Sequence, residues 1–137
     1  MIPSHDPQLL KGVLSMVLLH LLAEQESYGY EVAQRLQAAG FADVLEGTVY
    51  PALTRLEREG RLATRLVPSP SGPARKYYRL TPAGRDALAA ANSAWTRHVA
   101  AVEGVLARPL PDTGSDTNTA TATAATNTAT TREKKGP

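Results

Sequence analysis

The chain has 137 residues and a formal net charge of +2; 42% of its residues are apolar and only 5% aromatic. That length holds one domain plus appendages, and the low aromatic share leaves aliphatic residues to fill the core. No cysteine is present, which excludes disulfides, thiolate metal sites and a cysteine nucleophile.

The N-terminus lacks a basic segment followed by an apolar run and a cleavage site. The apolar run from Val13 to Leu22 is broken by Ser15 and His20, and it is too short for the ~20 apolar residues of a bilayer span. The expectation is a soluble, cytoplasmic protein that does not engage a membrane. The small net charge hides an asymmetry. Residues 1–54 hold two cations against six carboxylates, whereas residues 55–85 hold eight cations against two. A basic block of this kind is either the footprint of a polyanion partner or a solvated charged face.

Asp6-Pro7 predicts the start of a first helix, with Asp at the N-cap and Pro at N1, where no N–H is needed. Leu10, Leu14, Val17, Leu18 and Leu21 then follow at helical spacing to about Glu24–Gln25, and His20 is expected at the edge of the core. Ser27 is a candidate N-cap for a second helix whose Val32 and Leu36 face inward, with Gly40 closing it. A third helix is predicted from Gly47 or Thr48 to about Glu59. Pro51 falls in its first turn, Val49, Leu53 and Leu56 form its inward stripe, and Gly60 ends it. The period then changes to two. Residues 62–67 and 75–80 alternate as strands, and Pro68 to Pro73 should form the loop of a β-hairpin.

Thr81-Pro82 opens a fourth helix that should reach about Arg108. Leu88, Asn92, Trp95, Val99, Val102 and Leu106 follow alternating steps of four and three, a heptad seam over nearly three repeats. So small a monomer has little surface against which to bury that stripe, and a second copy of the same helix is the economical partner. Residues 109–137 read as a disordered tail rich in Thr and Ala, with no large apolar residue after Leu110.

Three helices followed by a hairpin match a winged helix-turn-helix. The fold class is therefore mainly α with a small β-hairpin: a winged helix over residues 1–82 and a C-terminal dimerisation helix over 83–108. Such a fold places its third helix in the major groove of double-stranded DNA, with the hairpin beside it as a wing. With Val49, Leu53 and Leu56 turned inward, Thr48, Tyr50, Pro51, Thr54, Arg55 and Arg58 are left to face the groove. Hydroxyls, an aromatic edge and long cations suit base edges and phosphates there. Tyr50 has a second reading, as a half-buried ring packed on the wing.

On the returning strand, Arg75, Lys76 and Arg79 are candidates for the adjacent minor groove or its phosphates. Alternatively, Arg75 and Arg79 pair with Glu57 and Glu59. Catalysis finds no support. His5, His20 and His98 lack metal-ligand spacing, and neither a phosphate-cradling glycine motif nor a serine nucleophile elbow occurs. No metal or cofactor is expected. A protein-docking module is the rival to a DNA reader.

Three stretches occur in order: Leu18-Leu19-His20-Leu21-Leu22 with Tyr28-Gly29-Tyr30-Glu31, then residues 47–60 from Gly47-Thr48-Val49-Tyr50-Pro51, then residues 72–84 through Arg75-Lys76-Tyr77-Tyr78-Arg79-Leu80-Thr81. With them the sequence resembles the PadR family of bacterial transcriptional regulators, in its short form with a single long C-terminal helix. The resemblance implies a homodimer on a palindromic operator, usually a repressor, released when an inducer binds or an effector is lost. It also implies that Trp95 falls where some relatives line a cavity for flat, apolar compounds. Trp95 can equally be a packing residue of the dimer seam. The tail lies outside the family pattern.

Overall fold

The computed structural model describes residues 6–112. The disordered tail read from the sequence falls mostly on residues 113–137, outside that range. The elements in order are α1 (Pro7–Glu24), β1 (Ser27–Tyr28), α2 (Gly29–Ala38), α3 (Glu46–Arg58), β2 (Leu62–Ser69), β3 (Gly72–Leu80) and α4 (Pro82–Leu106). The chain divides into one compact unit up to His98 and a second from Val99 onward.

α1 begins as its sequence dictates. The Asp6 carboxylate accepts from the Gln8 amide at 2.8 Å, and Pro7 occupies the first helical position. By length and composition α1 could cross a membrane, but its Leu14, Leu18, Leu19 and Leu22 are buried in the core of the first unit. Val32, Leu36, Val49, Leu53 and Leu56 from α2 and α3 complete that core, with Leu62, Tyr78 and Leu80 from the sheet. Tyr78 is the single aromatic in it, so aliphatic side chains do fill the interior. His20 is not at the core edge. It is exposed on the outer face of α1, 3.5 Å from Glu24.

Two further expectations are corrected. Ser27 does not cap α2. It forms β1 with Tyr28, pairing antiparallel with Tyr78 and Tyr77 and making a three-stranded sheet in the order β1-β3-β2 rather than a bare hairpin. Ser27 is fully buried, and its hydroxyl accepts from Arg35 Nη1 at 2.9 Å. Arg35 also donates to the Leu21 carbonyl at 2.8 Å and pairs with Glu24, so this cation closes the C-terminal end of α1. The hairpin loop is also shorter than expected. β2 runs through Pro68 to Ser69, and β3 resumes at Gly72. The register slips between Val67 and Ser69, so Pro68 stands outside the ladder. A bulge on an edge strand is one of the few places in a sheet where proline is tolerated.

α4 starts on Thr81, whose hydroxyl accepts from the Gly84 amide at 3.0 Å and donates to the Gly60 carbonyl at 2.7 Å. The Thr81 amide donates to the Arg61 carbonyl. These bonds lock the start of α4 onto the turn between α3 and β2. A Cβ on the buried Gly84 would run into that same Arg61 carbonyl. Beyond this junction Leu88 packs against the core, while Asn92 is exposed and Trp95 is 49% exposed. In the second unit Val99 is half-buried, and Val102, Val105, Leu106 and Leu110 are exposed.

Candidate nucleic-acid interface

α3 is a sharply two-faced helix. Val49, Ala52, Leu53 and Leu56 are buried. Gly47, Thr48, Tyr50, Pro51, Thr54, Arg55 and Arg58 are all exposed, so the residues read from the sequence as groove-facing share one outward face. Gly60 closes the helix at φ 80°, a conformation that side chains disfavour. The helix begins at Glu46, earlier than expected. Pro51 therefore stands in the second turn, and the Gly47 carbonyl lacks the amide donor that would otherwise lie four residues on.

Tyr50 is 39% exposed. Its hydroxyl donates to Glu46 Oε1 at 3.0 Å, and its ring lies on Gly29 at the start of α2. A Cβ on Gly29 would come within 2.6 Å of Tyr50 Cε1. Burial and then the Glu46 carboxylate push the phenol above its ordinary range. Gly29→Ala is expected to drive the ring off α2 into water. Spectrophotometric titration should then show one tyrosine returning toward its ordinary range, with the melting temperature almost unmoved. An unchanged titration would mean that the ring accommodates the methyl group.

Arg55 Nη2 donates to Ser15 on α1, and Nε lies 3.9 Å from Glu59. Thr48, Pro51 and Arg55 line a recess of about 380 Å³ against α1, where Lys11 joins them. Lys11 is a cation that sequence reasoning missed, because its place opposite α3 depends on how the two helices pack. Among the described residues Arg58 pairs with no carboxylate.

The wing divides its cations between two faces. Tyr78 and Leu80 point into the core, and Lys76 shares their side of β3. Arg75, Tyr77 and Arg79 lie on the other side. There Arg75 sits 4.5 Å from the Tyr28 ring centroid and Arg65 sits 5.5 Å from that of Tyr77. The two rings are 5.4 Å apart. Arg65 also grips Glu26 through two hydrogen bonds of 2.8 and 2.9 Å, which holds that carboxyl below its usual range. The pairing suggested for Arg75 and Arg79 does not form. Glu57 takes Lys76 at 3.0 Å, and Glu59 takes Arg61 and, more distantly, Arg55. Tyr28, Tyr30, Tyr50 and Tyr78 line the recess between α2, α3 and the wing, with Arg75 and Lys76 at its wing side.

The family model of PadR-like transcriptional regulators matches residues 18–90, which carry α2, α3 and the whole wing. The chain belongs to the PadR-like family. A transcriptional regulator of Mycobacterium tuberculosis is 41% identical over 80 residues, covering 57% of this chain and 71% of its own. The crystal structure of a PadR-like transcriptional regulator from Bacillus cereus superposes with a TM-score of 0.66 at 36% identity, covering 74% of this chain and 99% of its own. That of a PadR family regulator from Eggerthella lenta gives 0.69 at 31% identity, over 74% and 88%. The winged-helix architecture is thus shared with solved PadR-like proteins, and members of the family are regulators of transcription rather than enzymes.

Trp95, one of the heptad residues, lines a second feature of this PadR-like chain. Leu9, Gly12, Val13 and Met16 of α1 and Ala91, Ala94, Trp95 and His98 of α4 line an almost wholly apolar recess of about 380 Å³. Leu9 is 75% exposed.

Proposed function

We propose that the protein is a cytoplasmic, homodimeric repressor that binds a palindromic operator in double-stranded DNA and is released by a small, planar, apolar effector. The observation that carries this reading is the outward face of α3. It is a contiguous exposed strip of hydroxyls, one phenol and two guanidiniums, flanked by the wing cations. In this reading Thr48, Tyr50, Pro51, Thr54 and Arg55 meet base edges or the nearest phosphates. Arg58 takes a phosphate farther along the strand, and Arg75 and Arg79 follow the backbone from the wing. Lys76 stands behind them. Two copies pair through Leu88, Asn92, Trp95, Val99, Val102 and Leu106, setting the two α3 helices about one DNA turn (~34 Å) apart. An effector in the Trp95 recess acts only if it favours one arrangement of the pair over the other.

A salt series on a duplex recovered by in vitro selection tests the interface. Affinity should fall steeply with salt. Arg58→Ala should weaken all sequences alike and lower the salt slope by about one, as a phosphate contact does. Arg55→Ala should cost on the order of 10-fold or more and relax specificity. Parent-like binding by both variants would refute the interface. Quenching of the single tryptophan by planar aromatic compounds tests the recess. No quenching across a broad set would leave Trp95 a packing residue.

A further inference from the structure

Of the cations read from the sequence as DNA contacts, Lys76 is engaged differently from the rest. Its ammonium lies 3.0 Å from Glu57 Oε1 and 5.7 Å from the centroid of the Tyr78 ring. The other carboxylate oxygen of Glu57 accepts from the Thr64 hydroxyl at 3.0 Å. One side chain on α3 thus reaches both strands of the wing, Thr64 on β2 and Lys76 on β3. Thr64 pairs with Tyr78 in the ladder, so the two contacts fall side by side. Glu57 stands in the last turn of α3, on the side that faces the sheet. The charges respond as a joined pair should. Glu57 is held below its usual range chiefly by its hydrogen bond to Lys76, and Lys76 is held above its own by the same bond. Among the described residues, neither Glu46 on α3 nor Glu59 at its C-cap touches both strands of the wing: Glu46 accepts from Tyr50, and Glu59 pairs with Arg61 and Arg55.

We infer that Glu57 and Lys76 are positioning residues that brace the wing against the recognition helix, so that Lys76 itself does not act as a phosphate contact. The inference rests on the DNA-reading interface proposed above. An exposed ion pair adds little to stability, so the effect of this one is geometric. Past residue 66 the hairpin leaves the core: Leu66 is 70% exposed, and its ladder partner is Lys76. Tyr28 on β1 holds the Arg75 guanidinium, and Glu57 supplies the matching contact from α3, so the angle at which Arg75 stands beside the reading strip depends on both. A matched operator needs that angle. Non-specific DNA, held through phosphates alone, does not. The pair also keeps one cation neutralised within the protein, which holds down affinity for arbitrary sequences.

The test uses the full chain and three variants, Glu57→Gln, Lys76→Gln and the double variant, with melting curves as the folding control. The first readout needs no DNA. Amide hydrogen exchange over residues 62–80 should speed up several-fold in each single variant while exchange in α1 stays unchanged. Parent-like exchange in the wing overturns the brace, whatever the DNA data show. The second readout is affinity for the selected duplex and for a scrambled one across a salt series. Lys76→Gln should cut operator affinity about 10-fold and leave the salt slope as it was. A slope reduced by about one, with equal losses on both duplexes, would make Lys76 a phosphate contact and overturn the inference. Glu57→Gln should also lower operator affinity but raise scrambled-duplex affinity, and the double variant should lose no more than the worse single one. If the singles unfold, the exchanged pair Glu57→Lys with Lys76→Glu should restore both folding and the ratio of operator to scrambled binding. A folded exchanged pair that lacks that ratio overturns the inference. A parent that binds neither duplex would refute the DNA reading and leave the exchange result standing.

Discussion

Gly84→Ala is expected to lower the melting temperature by on the order of 5–15 °C, against the ordinary direction of a glycine-to-alanine change inside a helix. Alanine is favoured over glycine there by about 1 kcal/mol. At Gly84 the new methyl group would meet the Arg61 carbonyl, which is backbone and is already held by the Thr81 amide. Nothing flexible can give way, so the start of α4 must lift off the turn between α3 and β2. Overpacking of a close contact costs typically 1–3 kcal/mol and occasionally more, which outweighs the propensity gain. In a folded unit of this size each kcal/mol moves the midpoint by about 4–8 °C. At Gly104, on the same helix, a Cβ would meet nothing within 4 Å. Gly104→Ala should therefore hold or raise the midpoint, and a thermal melt of the two variants side by side decides the matter. An equal response would mean that Gly84 is not a contact point.

The second large effect concerns assembly. Val102→Asp is expected to give monomers in sedimentation and to lower operator affinity about 100-fold or more, because linked half-sites gain that much from being held together. Val102 is 52% exposed and lies with Ala101, Val105 and Leu106 in an apolar patch. A charge there costs the isolated protomer little, so lost binding with an unchanged fold would point to the pairing surface. Ala100→Asp, an exposed position on the opposite side of the same turn, serves as the control and should stay dimeric. Dimers that persist in Val102→Asp would place the pairing surface elsewhere.

Much of this was legible in the sequence because the signals are local. Asp6-Pro7 and Thr81-Pro82 mark two helix starts through cap chemistry that needs no tertiary partner. The inward stripe of Val49, Leu53 and Leu56 fixes the outward strip of α3 by helical period alone. What escaped depends on contacts far apart in the chain. β1 has only two residues, too short for any period, and exists because Ser27 and Tyr28 find Tyr78 and Tyr77. Ser27 reads as a cap by composition, yet its hydroxyl is engaged by Arg35, eight residues on. Lys76 reads as one of three equivalent wing cations. Only strand alternation together with the reach of Glu57 separates it from Arg75 and Arg79. His20 misleads because an apolar run is not an apolar face.

The bulge at Pro68 has a consequence for the protein in concentrated solution. Among the described residues β2 is an edge of the sheet, on a hairpin that projects from the core with Leu66 exposed. Such an edge invites a second hairpin to add its own strand, and that is how soluble sheet proteins begin to aggregate. Pro68 offers no amide donor, and the slipped register beside it removes the even row of groups that an incoming strand would need. Arg65, farther along the same edge, adds an ion pair with Glu26. The wing can therefore stand clear of the body of the molecule without becoming a template for its neighbours.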